Sequence, residues 1–88
     1  MLKPYYTNKF KKQYDLMKKR GLNILLLNDI MSKLIKGEKL PSANRDHELK
    51  GNYNKSRECH IQPDWLLVYY IKQDVITFEA TGSHSDLF

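Results

Sequence analysis

The longest apolar and aromatic run in the chain, residues 65–71 (Trp-Leu-Leu-Val-Tyr-Tyr-Ile), constrains its fold most strongly. An unbroken series of this composition is typical of a strand that is buried on both faces. The Pro63-Asp64 pair just before the run predicts a tight turn. A rigid central strand would hold His60, Asp64 and Trp65 in fixed positions at its N-terminal end, as a precise site requires.

Helical patterns precede the strand patterns along the chain. Phe10, Tyr14 and Met17 recur at helical spacing and predict a first helix, capped by Thr7 or Asn8 and ending near residue 20. A second helix is predicted over residues 23–35, and strands over 2–6, 47–50, 56–61, 65–72 and 75–81. We therefore expect one α+β domain over residues 1–88, with two N-terminal helices packed on a small antiparallel sheet.

The excess of basic residues indicates the kind of partner that the protein binds. The chain has a formal net charge of +5, which favours a polyanion such as nucleic acid. Lys9, Lys11 and Lys12 concentrate positive charge on the first predicted helix, although such a face is also typical of plain solvation. The single cysteine excludes an internal disulfide and fits a reducing cytoplasm. With no signal peptide and no apolar stretch near the roughly 20 residues of a membrane helix, we expect a cytoplasmic protein without a membrane partner.

Three histidines, His47, His60 and His84, are the candidates for acid–base chemistry. Histidine exchanges protons near neutral pH because its unperturbed pKa is about 6.5. Cleaving RNA without a metal requires a base for the 2′-hydroxyl, an acid for the leaving 5′-oxygen and cationic support for the phosphorane. An aromatic side chain such as Trp65 or Phe88 could stack on a base. Each histidine also fits an ordinary surface position, and Trp65 also fits the core.

A zinc site is the competing interpretation, since Cys59 and the three histidines are possible ligands. Cys59 and His60 are adjacent on a predicted strand, however, so their side chains should point to opposite faces. The sequence also lacks paired C-x-x-C or H-x-x-x-H spacing and glycine-rich nucleotide-binding loops. We therefore predict neither a metal site nor a cofactor.

Three ordered blocks resemble the signature blocks of YafQ-like toxins, in the RelE superfamily of type II toxin–antitoxin systems. They are residues 46–51 (Asp-His-Glu-Leu-Lys-Gly), 57–69 (Arg-Glu-Cys-His-Ile-Gln-Pro-Asp-Trp-Leu-Leu-Val-Tyr) and 81–88 (Thr-Gly-Ser-His-Ser-Asp-Leu-Phe). The N-terminal half resembles the family only in layout. The resemblance implies a RelE-like microbial RNase fold and a ribosome-dependent endoribonuclease that cuts mRNA in the decoding site. It also implies neutralisation by a cognate antitoxin, through which alone the toxin would reach DNA.

The resemblance also implies roles for individual residues. The family pattern associates four positions with catalysis: His47, His60, Asp64 and His84. We expect His60 and His84 to transfer protons and Asp64 to orient one of them. The expected RNA contacts, on mRNA or rRNA, are made by aromatic and basic side chains: Trp65, Phe88, Lys50, Arg57, Lys9, Lys11 and Lys12.

The chain departs from the family pattern at Ala80, where relatives usually carry an arginine two residues before the Gly-Ser/Thr-His element. An arginine would offer the phosphate a fixed, bidentate guanidinium. Ala80 could simply pack in a row with Ile76 and Phe78 on one strand face, or a lysine from elsewhere could replace the arginine. The chain could also be a deliberately weakened variant, because an intact toxin poisons the cell that expresses it. We favour weakening; the alternative function is a toxin-like protein that binds nucleic acid and antitoxin without cutting.

Overall fold

The computed structural model describes residues 1–49 and 55–88. The elements follow the predicted order, with a short additional helix at the C-terminus: β1 (Lys3–Tyr6), α1 (Asn8–Lys19), α2 (Ile24–Ile35), a 3₁₀ turn (Ser42–Asn44), β2 (His47–Glu48), β3 (Arg57–Gln62), β4 (Trp65–Lys72), β5 (Val75–Gly82) and α3 (His84–Leu87). The boundaries of α1, α2, β4 and β5 lie within one residue of those predicted. The end of the predicted strand 47–50 reaches outside the described residues.

Side-chain caps and glycines explain where the two long helices begin and end. The Thr7 hydroxyl accepts a hydrogen bond from the backbone N–H of Phe10 at 3.0 Å, and the Asn23 side chain accepts one from Leu25 at 3.1 Å. Beyond the helix ends, Gly21 has φ 84° and Gly37 has φ 78°, a left-handed conformation that glycine adopts without a steric cost. Of the two caps predicted for the first helix, Thr7 is the one that the structure uses.

The sheet is mixed, with the strand order β1-β5-β4-β3-β2. The predicted central strand, β4, lies third of five and pairs antiparallel with both neighbours. The prediction of an antiparallel sheet was incomplete, because β1 pairs in parallel with β5, with Lys3 opposite Val75. This pairing joins the two ends of the chain, and local patterns carry no signal for it.

The two faces of the sheet are covered differently. Both long helices pack on one face over the main core, whose buried residues are Phe10, Met17, Leu27, Ile30, Met31, Leu34, Leu40, Cys59, Trp65, Leu67, Tyr69, Ile76 and Phe78. The opposite face carries a small buried cluster of Leu66, Val68, Ala80 and Leu87. In the part of the chain that the structure describes, α3 is the one helix that packs on this second face, which we call the open face.

A β-bulge decides which face Ala80 joins. The register passes from Tyr69 opposite Phe78 to Val68 opposite Ala80, so Glu79 has no counterpart on β4. The alternation of β5 side chains between the two faces of the sheet is therefore reversed at Glu79, and Ala80 joins the open-face cluster. The predicted row of Ile76, Phe78 and Ala80 on one face was wrong for this reason. Among the described helices, none has the length and apolar character needed to cross a membrane.

Candidate active site

The strand registers bring candidate residues together on the open face. His47 on β2 lies opposite Glu58 on β3, and Glu58 lies opposite Val68 on β4. His60, two residues after Glu58, shares its face because side chains alternate along a strand. The His47 and His60 ring centroids are 6.4 Å apart. The sheet therefore places two of the three predicted histidines side by side.

Glu58 lies between these two histidines and was not among the predicted site residues. Its Oε1 is 3.5 Å from Nε2 of His60 and 3.9 Å from Nε2 of His47. The Glu58 side chain is only 7% exposed, so its carboxylate is held beneath the imidazoles. A signal was present in the sequence, since Glu58 and His60 have the i, i+2 spacing that shares one strand face.

Helix α3 adds the third histidine from the far end of the chain. The His84 and His60 ring centroids are 5.8 Å apart. Oδ1 of Asp64 accepts a hydrogen bond from the backbone N–H of His84 at 3.0 Å and lies 2.6 Å from its Nδ1. The turn between β3 and β4 thus holds His84 through both its backbone and its ring.

The ionisation of Asp64 fixes how the His84 ring is protonated. The hydrogen bonds from the His84 backbone and ring lower the pKa of the Asp64 carboxyl. Asp64 is therefore ionised at neutral pH and can only accept, so the proton of the shared bond belongs to Nδ1 of His84. This leaves Nε2 of His84 for proton exchange with another group.

Glu58, His60 and His84 could also hold a metal ion. Each offers one ligand atom, and these atoms lie within 4.8 Å of one another. Imidazole nitrogens with a carboxylate oxygen suit zinc or copper. Cys59 takes no part, because it lies in the main core as strand alternation predicted. Burial raises the pKa of its thiol to about 12.

Two of the predicted RNA-contacting residues lie away from the histidines. Trp65 is 2% exposed within the main core, and its Nε1 donates to Oγ1 of Thr81 at 3.0 Å. Its ring is therefore packed as a core residue and is not accessible to a base. Arg57 lies on the face opposite Glu58, where its Nε donates to Oδ1 of Asp46 at 3.1 Å.

The remaining candidates are distributed around the molecule. Phe88 follows α3 directly and is 59% exposed, and its backbone N–H donates to the His84 carbonyl at 2.8 Å. Ala80 is 5% exposed on the open face. The three candidate lysines of α1 are exposed and lie on the helix side of the sheet, away from the histidines: Lys9, Lys11 and Lys12. Lys50 lies outside the described residues.

The fold and these contacts define a small basic α+β protein with a histidine–carboxylate cluster suited to acid–base chemistry. The family model described as "Bacterial toxin of type II toxin-antitoxin system, YafQ" matches residues 2–88. The chain belongs to this YafQ toxin family, which confirms the resemblance seen in the sequence.

Individual relatives support the same assignment. The mRNA interferase toxin YafQ of Escherichia coli K12 is 34% identical over 84 residues, covering 94% of this chain and 91% of the relative. A copper-bound mutant toxin from Helicobacter pylori is 41% identical with a TM-score of 0.95, and both chains are covered completely (100%). YafQ in the E. coli DinJ–YafQ complex is 32% identical with a TM-score of 0.94, covering 100% of this chain and 99% of that one.

Proposed function

We propose that this protein is an mRNA interferase toxin, an endoribonuclease that cuts mRNA on the ribosome by acid–base catalysis without a metal. The single observation that carries the proposal is the convergence of two histidine–carboxylate pairs on the open face. Glu58 lies 3.5 Å from His60, and Asp64 lies 2.6 Å from His84. The E. coli relative that carries the name mRNA interferase supports the choice of substrate.

The two histidine–carboxylate pairs match the two proton transfers of RNA cleavage. One group removes the proton of the 2′-hydroxyl, whose oxygen then attacks the phosphorus. The other donates a proton to the 5′-oxygen as the P–O5′ bond breaks, leaving a 2′,3′-cyclic phosphate and a free 5′-hydroxyl. His60 and His84 share these transfers, while Glu58 and Asp64 orient the rings and stabilise their charged forms. His47, next to Glu58, lies where it can contact the phosphate.

Contacts with RNA are made on both sides of the sheet under this proposal. Phe88 is exposed, its backbone N–H is bonded to the His84 carbonyl, and its ring can stack on a base near the cut. Lys9, Lys11 and Lys12, on the far side of the sheet, suit ribosomal RNA phosphates away from the scissile bond. Action on ribosomes places the protein in the cytoplasm, where its single Cys59 stays reduced.

The proposed protein partner is a cognate antitoxin, through which the toxin would also be brought to DNA. A relative of this chain forms the E. coli DinJ–YafQ complex. The net charge of +5 complements an acidic segment, which would order itself on docking. Calorimetric titration with the product of the neighbouring gene should give a dissociation constant below micromolar, and weaker binding would contradict this partner.

Primer extension on mRNA carried by programmed ribosomes tests the enzyme proposal. We expect cleavage with ribosomes, little cleavage of naked RNA, and full activity in EDTA when polyamines keep the ribosomes intact. His84→Ala should abolish cleavage, whereas Lys39→Ala, an exposed position outside the site, should not. Efficient Mg²⁺-dependent cleavage of free RNA would refute the proposed mechanism.

Ala80 favours a second candidate, a protein that binds RNA and antitoxin but does not cut. The family pattern implies an arginine here, and removing one preorganised charge stabiliser typically costs about 10²–10³ in kcat. We propose an attenuated enzyme, since the two histidine–carboxylate pairs are intact. Binding to ribosomes with no detectable cleavage at high enzyme concentration would support the second candidate instead.

A further inference from the structure

Arg20 connects the helix side of the molecule to the helix that carries His84. It follows the last residue of α1. Its Nη1 donates to Oδ2 of Asp86 at 2.6 Å and its Nη2 donates to Oδ1 at 2.9 Å. We propose that Arg20 and Asp86 are positioning residues that hold His84 in its reacting orientation. This inference rests on the proposed function, in which His84 transfers a proton.

Helix α3 needs such support because it has only four residues. Helices of this length are not stable by themselves, since too few hydrogen bonds offset the cost of nucleation. Ser83 and Asp86 form a capping box: Asp86 N–H donates to Oγ of Ser83 at 3.2 Å, and Ser83 N–H donates to Oδ2 of Asp86 at 2.8 Å. The Asp86 carboxylate therefore accepts hydrogen bonds both from the Ser83 backbone N–H of the cap and from the Arg20 guanidinium.

The position of this carboxylate is transmitted directly to His84. Asp86 accepts a hydrogen bond from the backbone N–H of Ser83, which is the residue before His84. The backbone N–H and Nδ1 of His84 are in turn directed at Asp64. The carboxylate also packs on Gly82, where an added Cβ would lie 2.8 Å from Cβ of Asp86. Asp86 thus fixes the backbone just before His84.

Bidentate geometry explains why this cation is an arginine. The guanidinium fork orients both carboxylate oxygens in one plane, whereas a lysine ammonium would hold them through a single point charge. The hydrogen bond from Arg20 is the main cause that lowers the pKa of Asp86, which stays ionised and accepting. Because exposed ion pairs add little to global stability, the consequence we expect lies in the geometry of His84.

Arg20→Ala tests the proposal, with Arg20→Lys as the conservative variant and Lys19→Ala as the matched control. Lys19→Ala removes one exposed cation from the same helix end. Three quantities are measured for each protein: kcat and KM on programmed ribosomes, the thermal midpoint, and the pKa of the Asp64 carboxyl by ¹³C NMR. The Asp64 pKa reports on the His84 contact, because hydrogen bonds from His84 are what lower it.

For Arg20→Ala we expect kcat to fall about 10–10²-fold with KM unchanged, the size typical of a misplaced catalytic group. The pKa of Asp64 should rise toward its ordinary value of about 3.9, with little change in the thermal midpoint. Arg20→Lys should recover part of the lost kcat and part of the lowering of the Asp64 pKa. Lys19→Ala should match the parent protein in both.

An unchanged Asp64 pKa in Arg20→Ala, or a kcat loss shared by Lys19→Ala, would overturn the positioning role. A large fall in the thermal midpoint with no change in the Asp64 pKa would also overturn it, since Arg20 would then be merely structural. If the parent protein cuts no RNA, the proposed function fails, while the NMR measurement still decides whether Arg20 positions His84.

Discussion

Ala80→Arg is the substitution that most directly tests whether alanine at position 80 weakens RNA cleavage. Ala80 lies opposite Val68, and Val68 lies opposite Glu58, so the three residues form one row across the open face. Neighbouring strands are about 4.8 Å apart, which places the Glu58 backbone about 10 Å from Ala80. An arginine that extends over Val68 would bring its guanidinium toward the Glu58 and His60 side chains, where the phosphate is proposed to lie.

Two opposing effects set the expected size. Ala80 is 5% exposed against Leu87, so a longer side chain must displace part of α3, and overpacking typically costs about 1–3 kcal/mol. In a domain of this size each kcal/mol lowers the thermal midpoint by roughly 4–8 °C. A preorganised charge at the phosphate contributes about 2.7–4 kcal/mol to the transition state. We therefore expect a folded, less stable protein whose cleavage is about 10²-fold faster.

The assay is primer extension on programmed ribosomes alongside thermal denaturation of each variant. Ala80→Met is the matched control, because it adds an unbranched stem without charge and should lose stability without gaining activity. Ala80→Lys adds a charge without the fork and should gain less than arginine. A folded Ala80→Arg protein with unchanged cleavage would mean that the guanidinium is supplied elsewhere, and equal gains in arginine and methionine variants would refute the electrostatic argument.

Three further predictions concern the core, acid stability and the thiol. Trp65→Ala should lower the free energy of unfolding by about 3–5 kcal/mol in urea denaturation. Trp65→Phe should lower it by less, because this variant loses mainly the hydrogen bond to Thr81. A Trp65→Ala protein as stable as the parent would contradict the buried position. The pKa values of Asp64 and Asp86 are lower in the folded than in the unfolded state, so the unfolded state binds protons first. This contribution to stability should therefore be complete above about pH 5 and be lost as the solution is acidified. It should be small because both carboxylates are exposed, and Asp86→Asn should flatten it. Cys59 should resist iodoacetamide at pH 8 until the protein unfolds, because burial raises its pKa to about 12; rapid labelling of the native protein would contradict this.

Local chemistry made most of the secondary structure predictable. Thr7 and Asn23 cap helices and Gly21 ends one through contacts within a few residues, and the apolar run at 65–71 marks the central strand by its composition alone. The parallel pairing of β1 with β5 could not be predicted in the same way, since its partners are about 70 residues apart.

The candidate site was predictable as a set of residues but not as a set of contacts. Strand alternation alone could have identified Glu58 as a site residue, because it shares a strand face with His60. The pairing of Asp64 with His84 depends on where α3 docks, and the contact of Arg20 with Asp86 joins residues 66 positions apart. Such contacts follow from the packing of whole elements, which the pattern of a single segment does not contain.

Strand register is the physical link between the apolar run and the chemistry. β3 presents Cys59 to the main core and Glu58 and His60 to the open face, because β4 fixes it with Cys59 opposite Leu67. A slip of one residue would turn His60 into the core and Cys59 toward the open face. The burial of both faces of β4 makes such a slip costly, so the same residues that stabilise the fold also determine which side chains form the histidine–carboxylate cluster.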